Sequence, residues 1–256
     1  MTLNNTPDNA QEAPESLDVL WRDEHLIAVH KPAGLLVHKS PIDQHETRYA
    51  MRILRDQIGQ WVYPVHRLDK PTSGLLLFAL SSDIARLVSD QFENRGVKKT
   101  YQAIVRGYTP ESAEIDHDLK EIAAFKSEKK TVEKMEPKPA RTDYQRLATY
   151  ELPFSDGRFP TSRYSYLELY PHTGRKHQIR RHLKHISHPI IGDVSYGKGP
   201  HNRLFRDEFG SERLLLAATR LILEHPLSGE TLDIHCPLAE EFNQLLKQLD
   251  QYQNQG

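Results

Sequence analysis

The feature that most constrains this chain is Leu75-Leu76-Leu77-Phe78-Ala79-Leu80, six apolar residues in unbroken succession. A run of that length is a strand, and a strand without polar alternation must be covered on both faces. Pro71 and Gly74 make the preceding segment a turn. Ser81 to Gly96 follows as a helix, with Ser82 placed to cap it and Gly96 at its C-terminal stop. Ile84, Leu87, Val88 and Phe92 form its apolar stripe.

Other strands are short and scattered. Val19 to Trp21 and Leu26 to Val29 flank the turn-like Arg22-Asp23-Glu24, and Leu35 to His38 resumes extended structure after the break at Lys31-Pro32-Ala33-Gly34. Thr100 to Arg106 and Tyr164 to Tyr170 alternate, while Leu214 to Leu216 and Thr219 to Leu223 read as strand segments before a turn at Pro226 to Gly229. Helices are predicted over Thr47 to Ile58, around Ile179 to Ile186, and after Pro237. No regular βα alternation links these elements. The fold class is therefore α+β, a mixed and mainly antiparallel sheet flanked by helices and loops. The polar segment Met1 to Ser16 reads as a disordered tail, and 17–256 as one domain. The charged stretch Lys120 to Arg141 reads as a solvated loop or insertion, with a binding arm as the alternative.

Charge limits the classes of partner. Thirty-four basic residues meet 35 acidic ones, for a net charge of −1. Any nucleic-acid contact must rest on locally gathered charge. The lone cysteine, Cys236, excludes an intrachain disulfide and argues for a reducing compartment. No apolar run approaches the roughly 20 residues that span a bilayer, and the N-terminus has no signal-peptide pattern. The expectation is a cytoplasmic protein that does not meet a membrane.

Two clusters carry chemistry. His66-Arg67-Leu68-Asp69-Lys70-Pro71-Thr72-Ser73-Gly74 places a carboxylate on a turn immediately before the apolar strand. Asp69 in such a turn either faces a cleft or merely caps the turn. The second cluster, His172 to His188, contains Arg175, Lys176, Arg180, Arg181, Lys184 and five histidines, with no acidic residue. It reads either as a phosphate-binding surface, with Gly174 freeing backbone N–H groups ahead of a helix, or as a solvated helix face. His182, His185 and His188 drift around a helix rather than converge, so no metal site is expected. Phosphate-loop, dinucleotide and serine-hydrolase motifs are absent from the sequence.

The nine-residue string around Asp69 resembles the signature loop of the RluA-type pseudouridine synthases. Other blocks resemble that family in the same order: Lys31 to His38, Lys99 to Gly107, Thr173 to His182, and His188 to Asp193. Within it, Gln57 to Gln60, Arg158 to Tyr164, His201 to Arg203 and the charged insertion are most similar to the branch acting on uridine 65 of tRNA. Leu216-Ala217-Ala218 departs from the wider family's Leu-His-Ala, a difference assigned to local packing.

The resemblance implies a pseudouridine synthase fold with a cleft across the sheet, a tRNA partner, no cofactor and no metal; a monomer is the plain expectation. It makes Asp69 the essential carboxylate, with three routes open. Asp69 attacks the ribose anomeric carbon, attacks carbon 6 of the base, or removes the 2′ proton. Arg180 is the matching arginine, Tyr101 the matching tyrosine, and Arg67 the residue that fills the stack after base flipping. Arg175, Lys176, Arg181 and Lys184 are expected on the RNA backbone. A metal-dependent phosphodiesterase using Asp69, Asp193 and histidines, and a purely RNA-binding module, are the competing readings.

Overall fold

The computed structural model describes residues 15–39, 45–123 and 128–254. The expected tail lies almost wholly outside the described residues, as does part of the charged insertion. Leu17, at the expected onset of order, is buried, and its backbone exchanges two hydrogen bonds with the Gln57 side chain.

One ten-stranded sheet organises the chain. Its strands are β1 (Val19–Arg22), β2 (Leu26–Lys31), β3 (Tyr63–Pro64), β4 (Ser73–Ala79), β5 (Lys98–Arg106), β6 (Ser112–Asp116), β7 (Arg141–Leu152), β8 (Ser162–Pro171), β9 (Leu216–Glu224) and β10 (Thr231–His235). Their order is β1-β2-β4-β9-β5-β8-β7-β6, with β3 also on β4 and β10 also on β9. The helices are α1 (Ala50–Ile58), α2 (Ser82–Glu93), α3 (Lys129–Glu133), α4 (Gln178–His185), α5 (Gly199–Phe209) and α6 (Glu240–Leu249). The mixed, mainly antiparallel α+β architecture is the one expected.

The apolar strand behaves as its sequence demands. All seven residues of β4 are buried. Leu76 and Phe78 pack on the α1 side with Ile53 and Leu54, while Leu75, Leu77 and Ala79 pack on the α2 side with Ile84 and Val88. A third core cluster joins β5, β7, β8 and β9 to α4, α5 and α6.

The join between β4 and β9 matters most for function. It is parallel, where the other strand pairings among the described residues are antiparallel, and it spans only Ser73↔Ala217 and Gly74↔Ala218. Gly74 has φ +111, and a Cβ there would lie 2.1 Å from the Ala218 carbonyl oxygen. Only glycine allows the two halves of the sheet to meet this closely. The departure at Ala217, which pairs with Ser73, thus falls on this seam.

Several local expectations need correction. Ser81, not Ser82, caps α2, its Oγ accepting from Ile84 N. Arg95, not Gly96, takes the left-handed conformation after that helix (φ 60). Leu35 to His38 forms no strand beyond a single bridge from Leu36 to Tyr49. The two segments near 214–223 merge into one strand, β9. β7 was not expected, because its inward positions include the polar Thr142 and Arg146 among Tyr144, Tyr150 and Leu152, which breaks the apolar period. α5 was not expected either, because its buried face includes His201, a polar residue satisfied by the Tyr164 hydroxyl at 2.9 Å.

Candidate active site

The signature loop connects β3 to β4 and ends at the parallel seam. Its residues alternate in direction. Leu68 points into the core beside α1, Arg67 is exposed, and Asp69 keeps 22% of its side chain exposed. Thr72 N donates to Asp69 O at 3.0 Å, closing the turn.

Two anchors hold the loop. The His66 Nε2 accepts the Leu77 backbone N–H at 2.9 Å, and the ring stacks on Phe92 at 4.9 Å. Burial, with the Lys99 charge adding to it, pushes the His66 pKa down to about 3. Lys31, fully buried, donates from Nζ to Pro32 O, Leu35 O and Lys70 O at 2.9, 2.8 and 3.2 Å. One ammonium therefore ties the Lys31 to Leu35 turn to the signature loop. Burial lowers its pKa to about 7, with Arg213 acting in the same direction and Asp69 against it.

The second wall is the segment from Thr173 to Arg180. Gln178, buried, accepts from the Arg175 N–H and the Thr173 hydroxyl through Oε1, and donates from Nε2 to Arg141 O and Thr142 Oγ1. This single amide fixes the loop against β7. It also occupies the Arg175 N–H, one of the backbone donors that the phosphate reading needs. Ile179 enters the core, so His177 and Arg180 are left facing the signature loop.

Arg180 lies between two carboxylates. Its Nη1 donates to Asp69 Oδ2 at 3.1 Å, while Nε and Nη2 donate to Asp193 Oδ2 and Oδ1 at 2.7 and 2.9 Å. Arg180 is 4% exposed and the Asp193 side chain 0%. Asp193 Oδ1 also accepts the backbone N–H groups of Ser195 and Tyr196, both at 2.9 Å. Burial pulls the Asp193 pKa upward, but the Arg180 fork and these N–H groups outweigh it, and the net shift is down. Burial works against the Arg180 charge too, and Asp193 and Asp69 overcome it. Asp69 and Asp193 thus share one guanidinium rather than converging on a common metal position.

Tyr101 lies on β5 beside Ala218 and packs against the core clusters on both sides of the seam. Burial, then the Asp69 charge, pushes its phenol pKa upward. A phenol held protonated suits a stacking surface better than a base. The structure therefore sets Arg180 on Asp69, places Tyr101 beside Ala218 at the seam where the signature loop ends, and leaves Arg67 exposed.

The basic residues divide. Arg175, Lys176 and Arg181 are half-buried and Lys184 is exposed. Arg181 and Lys184 line a depression of 530 Å³ beside Tyr196 and His117. His182 is structural, bonding Thr142 Oγ1 and His117 O from a fully buried position. Sequence reasoning assigned no role to His177, Tyr196 and Lys31, and gave Asp193 one only in the competing phosphodiesterase reading. Asp193 carried a signal, as the carboxylate that ends the resembling block His188 to Asp193.

With this geometry in view, comparisons with known proteins define the class. The RNA pseudouridylate synthase family model matches residues 25–185, and the chain belongs to that family of isomerases. It is 48% identical over 238 residues to tRNA pseudouridine synthase C of Vibrio parahaemolyticus, covering 93% of this chain and 97% of that protein. It is 49% identical over 235 residues to the protein of the same name from Pasteurella multocida, covering 92% and 97%. Among solved structures, Human RNA Pseudouridylate Synthase Domain Containing 4 is similar with a TM-score of 0.68 and 26% identity, over 91% of this chain and 93% of that one. Among the described residues, no helix is long and apolar enough to cross a membrane.

Proposed function

We propose that this chain isomerises a specific uridine of tRNA, uridine 65 in the acceptor/T-stem region, to pseudouridine, with Asp69 as the essential carboxylate. The observation that carries the reading is Asp69 itself. It is partly exposed at the seam of the sheet, and the Arg180 guanidinium holds it at 3.1 Å. Identity to proteins named tRNA pseudouridine synthase C supports the choice of tRNA.

The reaction breaks the bond from N1 to the ribose anomeric carbon and forms one from carbon 5. A proton leaves carbon 5 and another arrives at N1, so no redox partner or cofactor is required. The target base must leave its stem, at a cost of a few kcal/mol in lost stacking. Arg67, exposed and planar, takes the vacated place in the stack. Tyr101 receives the face of the extruded uracil. Asp69 then attacks the anomeric carbon, attacks carbon 6, or removes the 2′ proton, and each route uses the ionised acid. Arg175, Lys176, Arg181 and Lys184 contact the phosphate backbone, and A-form shape guides recognition because the major groove is too narrow to read. The enzyme acts as a cytoplasmic monomer.

The test is Asp69→Asn assayed on a tRNA transcript. Product formation is expected to vanish while RNA binding persists. Retained turnover would falsify the assignment, and pseudouridine at a position other than 65 would overturn the proposed target.

A further inference from the structure

His177 has no role in the sequence reading, yet it occupies an unusual backbone conformation beside Asp69. Its φ of 55 places it in the left-handed region at the N-terminal boundary of α4. A non-glycine residue held there costs free energy and persists only where its surroundings over-determine it. Here the surroundings aim the imidazole. Gln178 fixes the adjoining loop, and the Tyr196 hydroxyl lies 3.0 Å from His177 Nδ1. The opposite nitrogen, Nε2, lies 3.8 Å from Asp69 Oδ1, the oxygen that Arg180 does not touch.

The proton positions follow from electrostatics. An Nε2 lone pair facing a carboxylate is repelled, whereas an N–H is attracted. Burial raises the Tyr196 pKa, so its hydroxyl keeps its proton. That hydroxyl therefore donates to Nδ1 and leaves the hydrogen on Nε2. Burial also lowers the His177 pKa, against the pull of Asp69 and Asp193 and with Arg180 and Lys176 in support. The ring is neutral at neutral pH.

Resting on the reading of Asp69 as the essential carboxylate, we propose that His177 is a positioning residue for it. The Tyr196 hydroxyl selects the Nε2–H tautomer, and that N–H holds Asp69 Oδ1 while Arg180 holds Oδ2. A neutral donor orients the acid without adding a second cation beside it. At 3.8 Å the contact is longer than a hydrogen bond in the free protein, and a movement of about 1 Å would bring it into hydrogen-bond range. Tyr196 is fixed for this task from the same loop, because Asp193 accepts its backbone N–H and the Arg180 guanidinium lies 5.1 Å from its ring centroid.

The test combines 15N NMR of labelled histidine with single-turnover kinetics on a tRNA transcript. In the wild-type protein the His177 spectrum is expected to give the Nε2–H tautomer. An Nδ1–H tautomer overturns the proposal. Tyr196→Phe removes one hydroxyl and is expected to mix the tautomers and slow the chemical step several-fold. An unchanged tautomer also counts against the proposal. His177→Asn keeps a residue type that tolerates the left-handed backbone but lacks the reach. It is expected to lose roughly ten- to hundred-fold in rate, the range seen for hydrogen-bond partners that orient metal ligands, with melting temperature and RNA affinity unchanged. A wild-type rate in His177→Asn sinks the positioning role while leaving Asp69 in place. Turnover by Asp69→Asn sinks the functional reading whatever His177 does.

Discussion

Asp193→Asn tests whether the site is built on a shared guanidinium. Asp193 accepts four N–H groups: Arg180 Nε, Arg180 Nη2, Ser195 N and Tyr196 N. Asparagine offers one carbonyl oxygen and one NH2. If the oxygen stays on Ser195 and Tyr196, the NH2 meets Arg180 Nε–H at about the original 2.7 Å, donor against donor. If the amide flips, the two backbone donors lose their acceptor. Either way Arg180, 4% exposed, keeps its charge with only Asp69 to balance it. Breaking a buried pair from one side costs about 3–5 kcal/mol. At about 2–4 °C per kcal/mol for a chain near this size, the melting temperature should fall by roughly 6–20 °C. The assay is thermal and urea unfolding of Asp193→Asn, Arg180→Met and the double variant. The double variant should be less destabilised than the sum of the two, with a coupling of about 3 kcal/mol, because removing both charges leaves neither orphaned. A stability loss under about 1 kcal/mol with additive effects would refute the reasoning, since the fork would then carry no energy.

Three further outcomes are expected. Gly74→Ala should destabilise by about 2 kcal/mol or more beyond Gly34→Ala. Both glycines have positive φ, but the Gly74 Cβ meets Ala218 backbone atoms at 2.1–2.8 Å while Gly34 has nothing within 4 Å, and equal melting temperatures would contradict this. His66 is neutral in both folded and unfolded states above its ordinary 6.5, but below that only the unfolded chain takes up a proton until about pH 3. Stability should thus fall with acidity across that window, by up to about 2 kcal/mol at pH 5, and His66→Gln should flatten this part of the urea-unfolding profile. Lys184→Gln and Arg181→Gln should each lower the slope of log affinity against log salt by about 1, read by filter binding of a tRNA transcript, and an unchanged slope would remove them from the backbone contact.

The strand at Leu75 to Leu80 was legible because burial on both faces leaves a continuous apolar signature. Asp69 was legible because turn chemistry and apolar strand adjoin in sequence. What held these parts together was harder to read, because it is made of contacts between distant residues. Gln178 binds residues 36 and 37 positions away, Lys31 reaches one 39 positions away, and Arg180 bridges a separation of 111. Polar residues doing core work produce no apolar period, which also concealed α5 behind His201 and β7 behind Thr142 and Arg146. The resemblance named Arg180 as a partner for Asp69. It gave no hint that Arg180 makes its shorter bonds to Asp193.

That asymmetry bears on how the acid stays reactive. A guanidinium committed to Asp69 alone would hold the carboxylate by a full ion pair. Here two of the three N–H bonds go to a fully buried carboxylate, and one reaches Asp69. Asp193 therefore fixes Arg180 in place before any substrate arrives, so its orientation costs nothing at the moment of reaction. The same Asp193 positions the Tyr196 backbone, and the Tyr196 hydroxyl meets His177. Arg180 and His177, which lie against the two Asp69 carboxylate oxygens, are thus both set by one short segment, Asp193 to Tyr196. A perturbation there should move the two carboxylate contacts together, whereas a perturbation at Leu68 or Lys31 should move the acid and leave its partners behind.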